Sequence, residues 1–488
     1  MKKSIHRCAV LLVLIAITLA VPSPAAADTF TVRDDKGQEQ TFEARLHGSD
    51  ADVLLLERPT GRIEIVPNQR IVSREPGDDP TPVTGEEMLD ELQKRFGGDD
   101  GDRFIGSVSE PFVVGIALQA PLEKRARGRA LALLKKATTF LHSLQRSFDK
   151  FATRMDLPHE EPRYPLVMVI FETDAMFEDY ATQITGGRGL SATNITGFYS
   201  GLTNWLAVRL DECDDFQLPL HEGIHQQVYN RGWFQRLATI PVWFDEGIAT
   251  GFEADGADVK TDPRQLNGKY ALMALGSENV SFDTILRDDR PFRGDVLAGE
   301  AYMRAWALHW LLVGSRPKQY AEYVRQLGAR EPLGQIAGER RISQFESTFD
   351  VSVAELNREF ATNLVREARL QKVRPPRGPK PGYVYRQDQM GTVELQVVGD
   401  GSGRVRAAGE IKNSSPLRPL VFNVRLVPAE GQMIEWTTPA IQPNRRHRLP
   451  LRQMLTREAA FRTQIRSALP ESAEARQWAA REQATGGR

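Results

Sequence analysis

Cysteine is almost absent from this chain of 488 residues, which contains only Cys8 and Cys213. Because Cys8 lies in a segment that we expect to be removed, the mature chain keeps one cysteine and forms no intrachain disulfide. A chain of this length can rely on its hydrophobic core instead. Cys213 lies in the acidic run Asp211-Glu212-Cys213-Asp214-Asp215. The neighbouring carboxylates should raise the pKa of its thiol, which argues against a cysteine protease.

Several other patterns are also missing from the sequence. There is no glycine-rich phosphate-binding loop, no zinc-finger cysteine pair and no basic-aromatic pattern, which argues against nucleotide and nucleic-acid binding. No stretch after the N-terminal segment is long and apolar enough to span a bilayer. The composition, 41% hydrophobic and 26% charged, is that of a globular protein with several domains.

Residues 1–27 have the pattern of a signal peptide. Three basic residues in the first seven positions precede the apolar run Ala9–Ala20, and Ala25-Ala26-Ala27 offers a cleavage site before Asp28. The alternative is an uncleaved N-terminal anchor. Since Cys8 precedes the apolar run, it does not occupy the position of a lipoprotein cysteine. The pattern predicts a secreted or periplasmic protein.

A metal-binding pattern lies in a run that favours a helix, Leu218–Tyr229, which reads H-E-x-x-H at residues 221–225. In an α-helix, His221 and His225 lie four residues apart and project from one face, as two ligands of a tetrahedral zinc ion require. Glu222 is rotated away from that face and can hold a water molecule without being a ligand. The alternative is an ordinary helix that carries two histidines by chance.

A second segment, Pro241–Glu253, strengthens the metal-binding interpretation. Pro241 can open a helix, since the N–H that proline lacks is not needed there. Glu246 then lies in the second turn of this helix, with a carboxylate free to supply a third ligand. Two helices joined by a short loop can stack and direct their polar side chains at one ion.

Together the two segments resemble the gluzincin zinc metallopeptidases, which carry H-E-x-x-H on one helix and E-G-x-A on the next. Within that group the chain is similar to a family of secreted bacterial domains of unknown function that are predicted to be peptidases. The resemblance implies that His221, His225 and Glu246 bind one Zn²⁺ and that Glu222 is the general base. Glu222 would assist attack of a zinc-bound water on a peptide bond. The alternative is a latent or non-catalytic domain that acts as an envelope binding or scaffold protein.

Three further side chains are candidates on weaker grounds. Tyr302, Trp306 and His309 share one helical face, and the resemblance implies that a downstream tyrosine or histidine stabilises the oxyanion. Tyr302 is the first candidate and His309 the second, whereas an aromatic stripe of this spacing also fits core packing. Glu253 shares a helical face with Glu246, so it is either a carboxylate that orients a histidine ligand or a surface residue.

The expected fold is a multidomain α+β protein with a zincin-like metallopeptidase core, a small β-barrel N-terminal module and a β-sandwich C-terminal module. The predicted boundaries are 28–74 for the first β module, 75–103 for a linker, 104–371 for the metallopeptidase domain, 372–390 for a Pro/basic linker, 391–450 for the second β module and 451–488 for a helical or disordered basic tail.

The first β module resembles a short SH3-like homology domain named from an actin-associated adaptor. The resemblance rests on the opening Thr29-Phe30, the turn Asp35-Lys36-Gly37, the strand Phe42-Glu43-Ala44 and the closing stretch from Gly61 to Pro67. It implies a binding or docking module that has no chemistry of its own.

Charge is distributed unevenly along the chain. Residues 372–488 carry 20 Lys and Arg against 10 Asp and Glu, whereas the preceding body is acidic. The basic C-terminal region can bind an anionic envelope surface; the alternatives are a solvated face or pairing with the acidic body. The expected partners are therefore a peptide or protein substrate and such a surface, with no nucleic acid.

Overall fold

The computed structural model describes residues 27–185, 196–254, 262–277, 280–293, 298–374, 383–388, 390–399, 403–429, 432–456 and 461–485. The expected signal peptide, up to residue 26, lies outside these ranges, as do residues 375–382 of the predicted Pro/basic linker. The described chain is mixed α+β, with several small sheets and 12 α-helices in the described ranges. Across these ranges, no helix has both the length and the apolar character needed to cross a bilayer.

The N-terminal module consists of six short strands, namely β1 (Thr29–Arg33), β2 (Glu39–Glu43), β3 (Arg45–Ser49), β4 (Val53–Glu57), β5 (Ile63–Pro67) and β6 (Ile71–Glu75). They form two three-stranded antiparallel sheets, ordered β2-β1-β6 and β3-β4-β5. Phe30, Leu56 and Val66 are buried between them in a small core of their own. Phe42 and Glu43 of the expected strand lie in β2, and Ala44 directly follows its end.

A five-stranded mixed sheet forms the centre of the fold, with the strands β7 (Phe104–Ser109), β8 (Phe112–Ala117), β9 (Leu166–Phe171), β10 (Gly197–Tyr199) and β11 (Trp205–Arg209). Its order is β10-β11-β9-β8-β7, so β10 is an edge strand, paired antiparallel to β11. Strands β8, β9 and β11 are parallel and fully buried, as their continuous apolar sequences require.

Helices cover both faces of this sheet: α1 (Gly85–Phe96), α2 (Lys124–Arg154), α3 (Asp174–Thr185) and α4 (Gln217–Asn230). Successive strand residues point to opposite faces, so Met168 and Ile170 pack in one core cluster with α2 and α4, whereas Val167 packs in another with α1 and α3. Part of the segment predicted as a linker, namely α1, therefore packs on the central sheet.

The chain then becomes mainly helical, as expected, with α5 (Val242–Gly251), α6 (Gly268–Gly276), α7 (Asp283–Arg287), α8 (Ala298–Ser315), α9 (Pro317–Gly328), α10 (Gly338–Phe349) and α11 (Val353–Leu370). Helices α5 and α8 pack closely because α5 presents Gly247 to α8. A Cβ atom on Gly247 would lie 2.8 Å from the backbone oxygen of Ala305. The glycine of the E-G-x-A pattern therefore allows the two helices to approach each other.

We expect Gly247→Ala to destabilise the protein by about 1–3 kcal/mol, because the new methyl group meets backbone atoms that cannot rotate away. Urea denaturation followed by circular dichroism measures this change. Gly128→Ala is the matched control, since Gly128 lies on α2 with nothing within 4 Å of its Cβ position. The control should stabilise by roughly 0.5–1 kcal/mol. A Gly247→Ala protein as stable as the parent would contradict the packing argument.

The C-terminal part contains the strands β12 (Tyr383–Asp388), β13 (Gly391–Gly399), β14 (Arg404–Asn413), β15 (Val421–Pro428), β16 (Ile434–Thr437), β17 (Arg446–Leu455) and β18 (Phe461–Ala468), followed by α12 (Ala473–Thr485). They form one sheet ordered β12-β13-β14-β17 and another ordered β16-β15-β18. The expectation of a helical or disordered tail from residue 451 differs from the structure, in which strands continue to Ala468. Leu449, Met454 and Ile465 are buried there, so these strands contribute to the apolar core.

Candidate metal centre

Helix α4 is fixed against the central sheet by its apolar face. Leu220, Ile224 and Val228 are fully buried, at the helical spacing that places them on one side. The helix follows β11 after a short turn that ends at Phe216, which adopts a left-handed conformation with φ of 57°. This anchoring directs the polar residues at 221, 222 and 225 away from the main apolar face.

The three predicted ligands meet at one point, where α4 faces α5. The Nε2 atoms of His221 and His225 lie 3.2 Å apart. The Oε2 atom of Glu246 lies 3.0 Å from Nε2 of His221 and 3.7 Å from Nε2 of His225. Among the described residues, this is the one group of three or more His, Cys, Asp or Glu side chains close enough together to hold a metal ion.

These separations fit a tetrahedral zinc site. Zinc bonds of about 2.0–2.2 Å to nitrogen and oxygen place neighbouring tetrahedral ligands about 3.3–3.5 Å apart. The three distances between the ligand atoms of His221, His225 and Glu246 run from 3.0 Å to 3.7 Å and so include this range without any rearrangement of the helices. Two imidazoles and one carboxylate are also the donor types that zinc accepts, so the residues fit the ion that the motif implies.

The other nitrogen of each histidine is held by a separate carboxylate. Nδ1 of His221 lies 2.6 Å from Oε1 of Glu253, and Nδ1 of His225 lies 3.0 Å from Oδ1 of Asp245. Tyr229 donates a hydrogen bond of 3.0 Å to the second oxygen of Asp245. A carboxylate on Nδ1 keeps the proton there and leaves Nε2 for a metal, which is the usual support of histidine ligands. Of the two interpretations for Glu253, the structure supports the one in which it orients a histidine.

The charges of the cluster determine its titration in the metal-free protein. Burial lowers the pKa of His221, but hydrogen bonds to Glu246 and Glu253 outweigh it and raise the pKa to about 10. His225 behaves likewise: burial opposes the charged form, and Asp245 and Glu246 raise its pKa well above the ordinary value. Burial raises the pKa of Glu246, yet the two histidines reverse this and lower it. Metal binding must therefore displace protons from this cluster.

Glu222 lies beside the ligands and is held by the edge strand of the central sheet. The backbone N–H of Tyr199 in β10 donates a hydrogen bond of 2.9 Å to Oε2 of Glu222. Burial is the main cause that raises the pKa of Glu222, and the two histidines partly offset it. A carboxylate whose pKa is moved towards neutrality, fixed beside a metal site, is suited to accept and return a proton.

Tyr302 reaches the same site from α8. Its ring centroid lies 6.2 Å from that of His221, and Phe292 packs against its other side at 5.7 Å. Burial, Glu246 and Glu222 all raise the pKa of the Tyr302 hydroxyl, which therefore stays protonated as a hydrogen-bond donor. The structure thus brings the first candidate for the oxyanion donor to the cluster.

His309, the second candidate, lies in the core instead. It is fully buried, its Nε2 atom lies 2.6 Å from the Tyr320 hydroxyl, and its ring packs against Phe244. Burial lowers the pKa of His309 to about 3, so it is neutral. This histidine belongs to the packing between α5, α8 and α9, in line with the core interpretation of the aromatic stripe.

The sequence reasoning missed Asp245 and Tyr229, although a signal was present for both. Asp245 directly precedes the ligand Glu246, and Tyr229 lies four residues after His225, on the same helical face. A carboxylate or a hydroxyl at these spacings from a predicted ligand is therefore the sequence signal for Asp245 and Tyr229.

The described cluster therefore has the ligand types, spacing and supporting carboxylates of a metal site carried by two helices. Residues 219–334 of the chain match a family model described as "Protein of unknown function (DUF1570)". The matched segment includes the three candidate ligands, Glu222 and Tyr302. No curated protein matches the chain.

Proposed function

We propose that this protein is a secreted zinc-dependent metallopeptidase of the gluzincin type, which hydrolyses peptide bonds with Glu222 as the general base. The observation that carries the proposal is the convergence of two imidazole Nε2 atoms and Glu246 Oε2 on one point, with a separate carboxylate beside them. A structural metal site has no need of Glu222, whereas hydrolysis does.

The arrangement of elements supports a zincin-like core. A mixed sheet ends in the antiparallel edge strand β10, and the helix that carries H-E-x-x-H packs along that edge. We further propose that the two N-terminal sheets form an SH3-like barrel and that the two C-terminal sheets form a sandwich. The apolar residues Val393 and Leu395 of one C-terminal sheet and Phe422 and Val424 of the other are fully buried in one core cluster.

The proposed mechanism assigns each step to a residue of the chain. Zinc, when bound by His221, His225 and Glu246, supplies Lewis acidity that lowers the pKa of water and polarises the scissile carbonyl. Glu222 accepts the proton of the attacking water and returns it to the leaving amine. The hydroxyl of Tyr302 donates a hydrogen bond to the oxyanion.

Strand β10 offers a place for the substrate backbone. Ser200 N–H donates to the carbonyl of Trp205 in β11, and Arg209 N–H donates to the carbonyl of Thr196. By antiparallel alternation, the backbone groups of residues 197 and 199 face the other way, towards an edge with no further strand among the described residues. Since the Tyr199 N–H is already donated to Glu222, an extended peptide that adds to this edge would pair with the backbone of Gly197 and the carbonyl of Tyr199, and it would lie beside Glu222.

We expect Tyr302→Phe to lower kcat by about 10²–10³-fold without changing the zinc content, because one donor to the oxyanion is lost. Steady-state hydrolysis of a cleaved peptide and metal analysis measure the two quantities. Tyr323→Phe is the control, since Tyr323 is a buried tyrosine that packs on Trp243 and Phe345 instead of on a ligand. Equal rates for Tyr302→Phe and the parent would remove Tyr302 from the mechanism.

The proposal is tested on the purified chain by measuring bound zinc and cleavage of a mixed-peptide library by mass spectrometry. One zinc per chain together with cleavage would establish the hydrolase and reveal its sequence preference. One zinc without cleavage would favour a latent or binding domain. A chain that binds no zinc would overturn the proposal.

The proposed setting is the periplasm or the exterior of the cell, after cleavage before Asp28. An anionic envelope surface remains the proposed partner of the basic C-terminal region. Five arginines of that region pair with carboxylates of the chain, namely Arg418, Arg425, Arg446, Arg452 and Arg481. At these arginines an anionic surface would compete with ion pairs within the chain.

A further inference from the structure

The turn between β10 and β11, residues 200–204, is largely buried although it is a connection between strands; Gly201 and Leu202 are half-buried. Ser200, Thr203 and Asn204 expose only 7%, 2% and 1% of their surface. Asn204 also has a left-handed backbone, with φ of 65°. A buried, strained connection must have its polar groups satisfied by neighbouring elements. We call these five residues the hairpin turn.

On one side, the hairpin turn is held by helix α4 and by Tyr199 of β10. The side chains of Asn204 and Asn230 form a reciprocal amide pair with two hydrogen bonds of 2.8 Å. The Tyr199 hydroxyl donates to the same Asn204 oxygen at 2.7 Å. The ring of Tyr199 stacks on Tyr229 at 5.7 Å. The position of the turn is therefore linked to both the general base and the residue that supports Asp245.

On the other side, the hairpin turn is connected to the N-terminal module through Arg236, which lies between α4 and α5. Nη1 of Arg236 donates one hydrogen bond of 3.2 Å to the carbonyl of Gly201 and another of 2.7 Å to the carbonyl of Gly61. Its Nη2 atom pairs with Glu57 at the end of β4. Ile63 adds a backbone hydrogen bond of 2.7 Å to the carbonyl of Leu202.

This ion pair lies in the interior of the protein. Arg236 and Glu57 expose 4% and 1% of their surface, although 179 residues separate them in the sequence. Because Glu57 also pairs with Arg45, loss of Arg236 leaves Glu57 with one cation instead of two, whereas loss of the Glu57 charge leaves the buried Arg236 guanidinium against the carbonyls of Gly61 and Gly201. The guanidinium joins three carbonyl or carboxylate partners, which a lysine ammonium with a single nitrogen cannot reproduce in the same planar geometry.

We propose that the N-terminal module positions the general base, with Arg236 and Glu57 as positioning residues. They hold the hairpin turn, the turn holds Tyr199, and the N–H of Tyr199 holds the carboxylate of Glu222. The inference rests on the proposed function of Glu222. It assigns the module a task beyond docking, because the module supplies part of the support for the metal centre.

The test compares Arg236→Lys and Glu57→Gln with Arg418→Lys in the full chain. Arg418 is a matched control: it pairs with Glu172 and donates to the carbonyls of Ala120 and Pro121, joining the C-terminal part to the central sheet. It acts at the opposite end of the sheet from the hairpin turn, since Glu172 follows β9 and the turn precedes β11. Four quantities are measured: amide hydrogen exchange of residues 196–206, kcat for a cleaved peptide, KM for the same peptide, and bound zinc.

Arg236→Lys and Glu57→Gln should each accelerate exchange of the Tyr199 amide by about tenfold or more. They should lower kcat by about 10- to 10²-fold, with KM and zinc content nearly unchanged, because a small displacement of a catalytic group is costly. Arg418→Lys should leave the exchange at Tyr199 and kcat at the values of the parent.

Three results would overturn the proposal: a Tyr199 amide that stays protected in both variants, an unchanged kcat despite faster exchange, or the same losses in Arg418→Lys. A parent chain without turnover would refute the proposed function separately. In that case the hydrogen-exchange data alone decide whether the N-terminal module holds strand β10, which contacts Glu222. Faster exchange of the Tyr199 amide in Arg236→Lys but not in Arg418→Lys would support this connection, and the same exchange rate in both variants would reject it.

Discussion

The Glu222→Gln protein is expected to bind one zinc ion as the parent does and to hydrolyse peptides about 10²–10⁴-fold more slowly. The amide side chain has the same size, and its oxygen can still accept the hydrogen bond from Tyr199 N–H. It cannot accept a proton from water, so the loss should be confined to kcat. The measurement is single-substrate kinetics together with metal analysis.

Glu322→Gln is the matched control for this substitution. Glu322 is an exposed glutamate on α9, with 54% of its side chain accessible. The same chemical change there should leave the rate at the value of the parent. Loss of zinc from the Glu222→Gln protein would instead place Glu222 among the ligands. A rate equal to that of the parent would show that Glu222 is not the base.

Loss of a carboxylate that supports a histidine ligand typically weakens metal binding by about 10–100-fold. Glu246→Gln is expected to weaken zinc binding by more than this factor. Glu246 contributes the one negative charge among the three ligands, and its Oε2 atom lies 3.0 Å and 3.7 Å from the two imidazole nitrogens. A neutral amide oxygen compensates the zinc charge poorly. Competition with a chromophoric chelator measures the change in affinity.

Asp245→Asn gives the graded comparison for Glu246→Gln. Asp245 touches Nδ1 of His225 rather than the proposed ion, so its loss should weaken zinc binding by only about 10–100-fold. The neighbouring substitutions on α5 then separate a ligand from a residue that orients a ligand. An affinity that falls further in Asp245→Asn than in Glu246→Gln would reverse the two assignments.

The ligand helices could be predicted because their geometry follows from local spacing. The spacing of four residues from His221 to His225 places both on one helical face, and α4 runs through both as expected. Pro241 precedes α5 as its N-terminal cap residue, and the helix begins at Val242. The meeting of the two helices was predicted from the combination of both patterns, and the close atoms of the three ligands agree with it.

Other features depend on contacts that no local pattern shows. The partner of Arg236 is 179 residues away, and the pair forms only once the end of β4 packs beside the connection between α4 and α5. The second half of β17, from Leu451, and the whole of β18 were expected to belong to a helical or disordered tail, because the arginines and glutamines of these strands obscure the alternation. Their inward positions, such as Met454 and Ile465, are recognisable only beside the partner strands β14 and β15.

Strand β10 is only three residues long, and this length also bears on the solubility of the protein. An unpaired strand edge is a template for pairing with other chains, including copies of the same protein, and proteins commonly limit that risk with short edges. Gly197–Tyr199 offers room for very few main-chain hydrogen bonds. A second copy therefore gains little by aligning along it, and the N–H of Tyr199 is already engaged by the carboxylate of Glu222. For the proposed peptide substrate, the same brevity predicts that most of the binding affinity comes from side-chain contacts outside the strand.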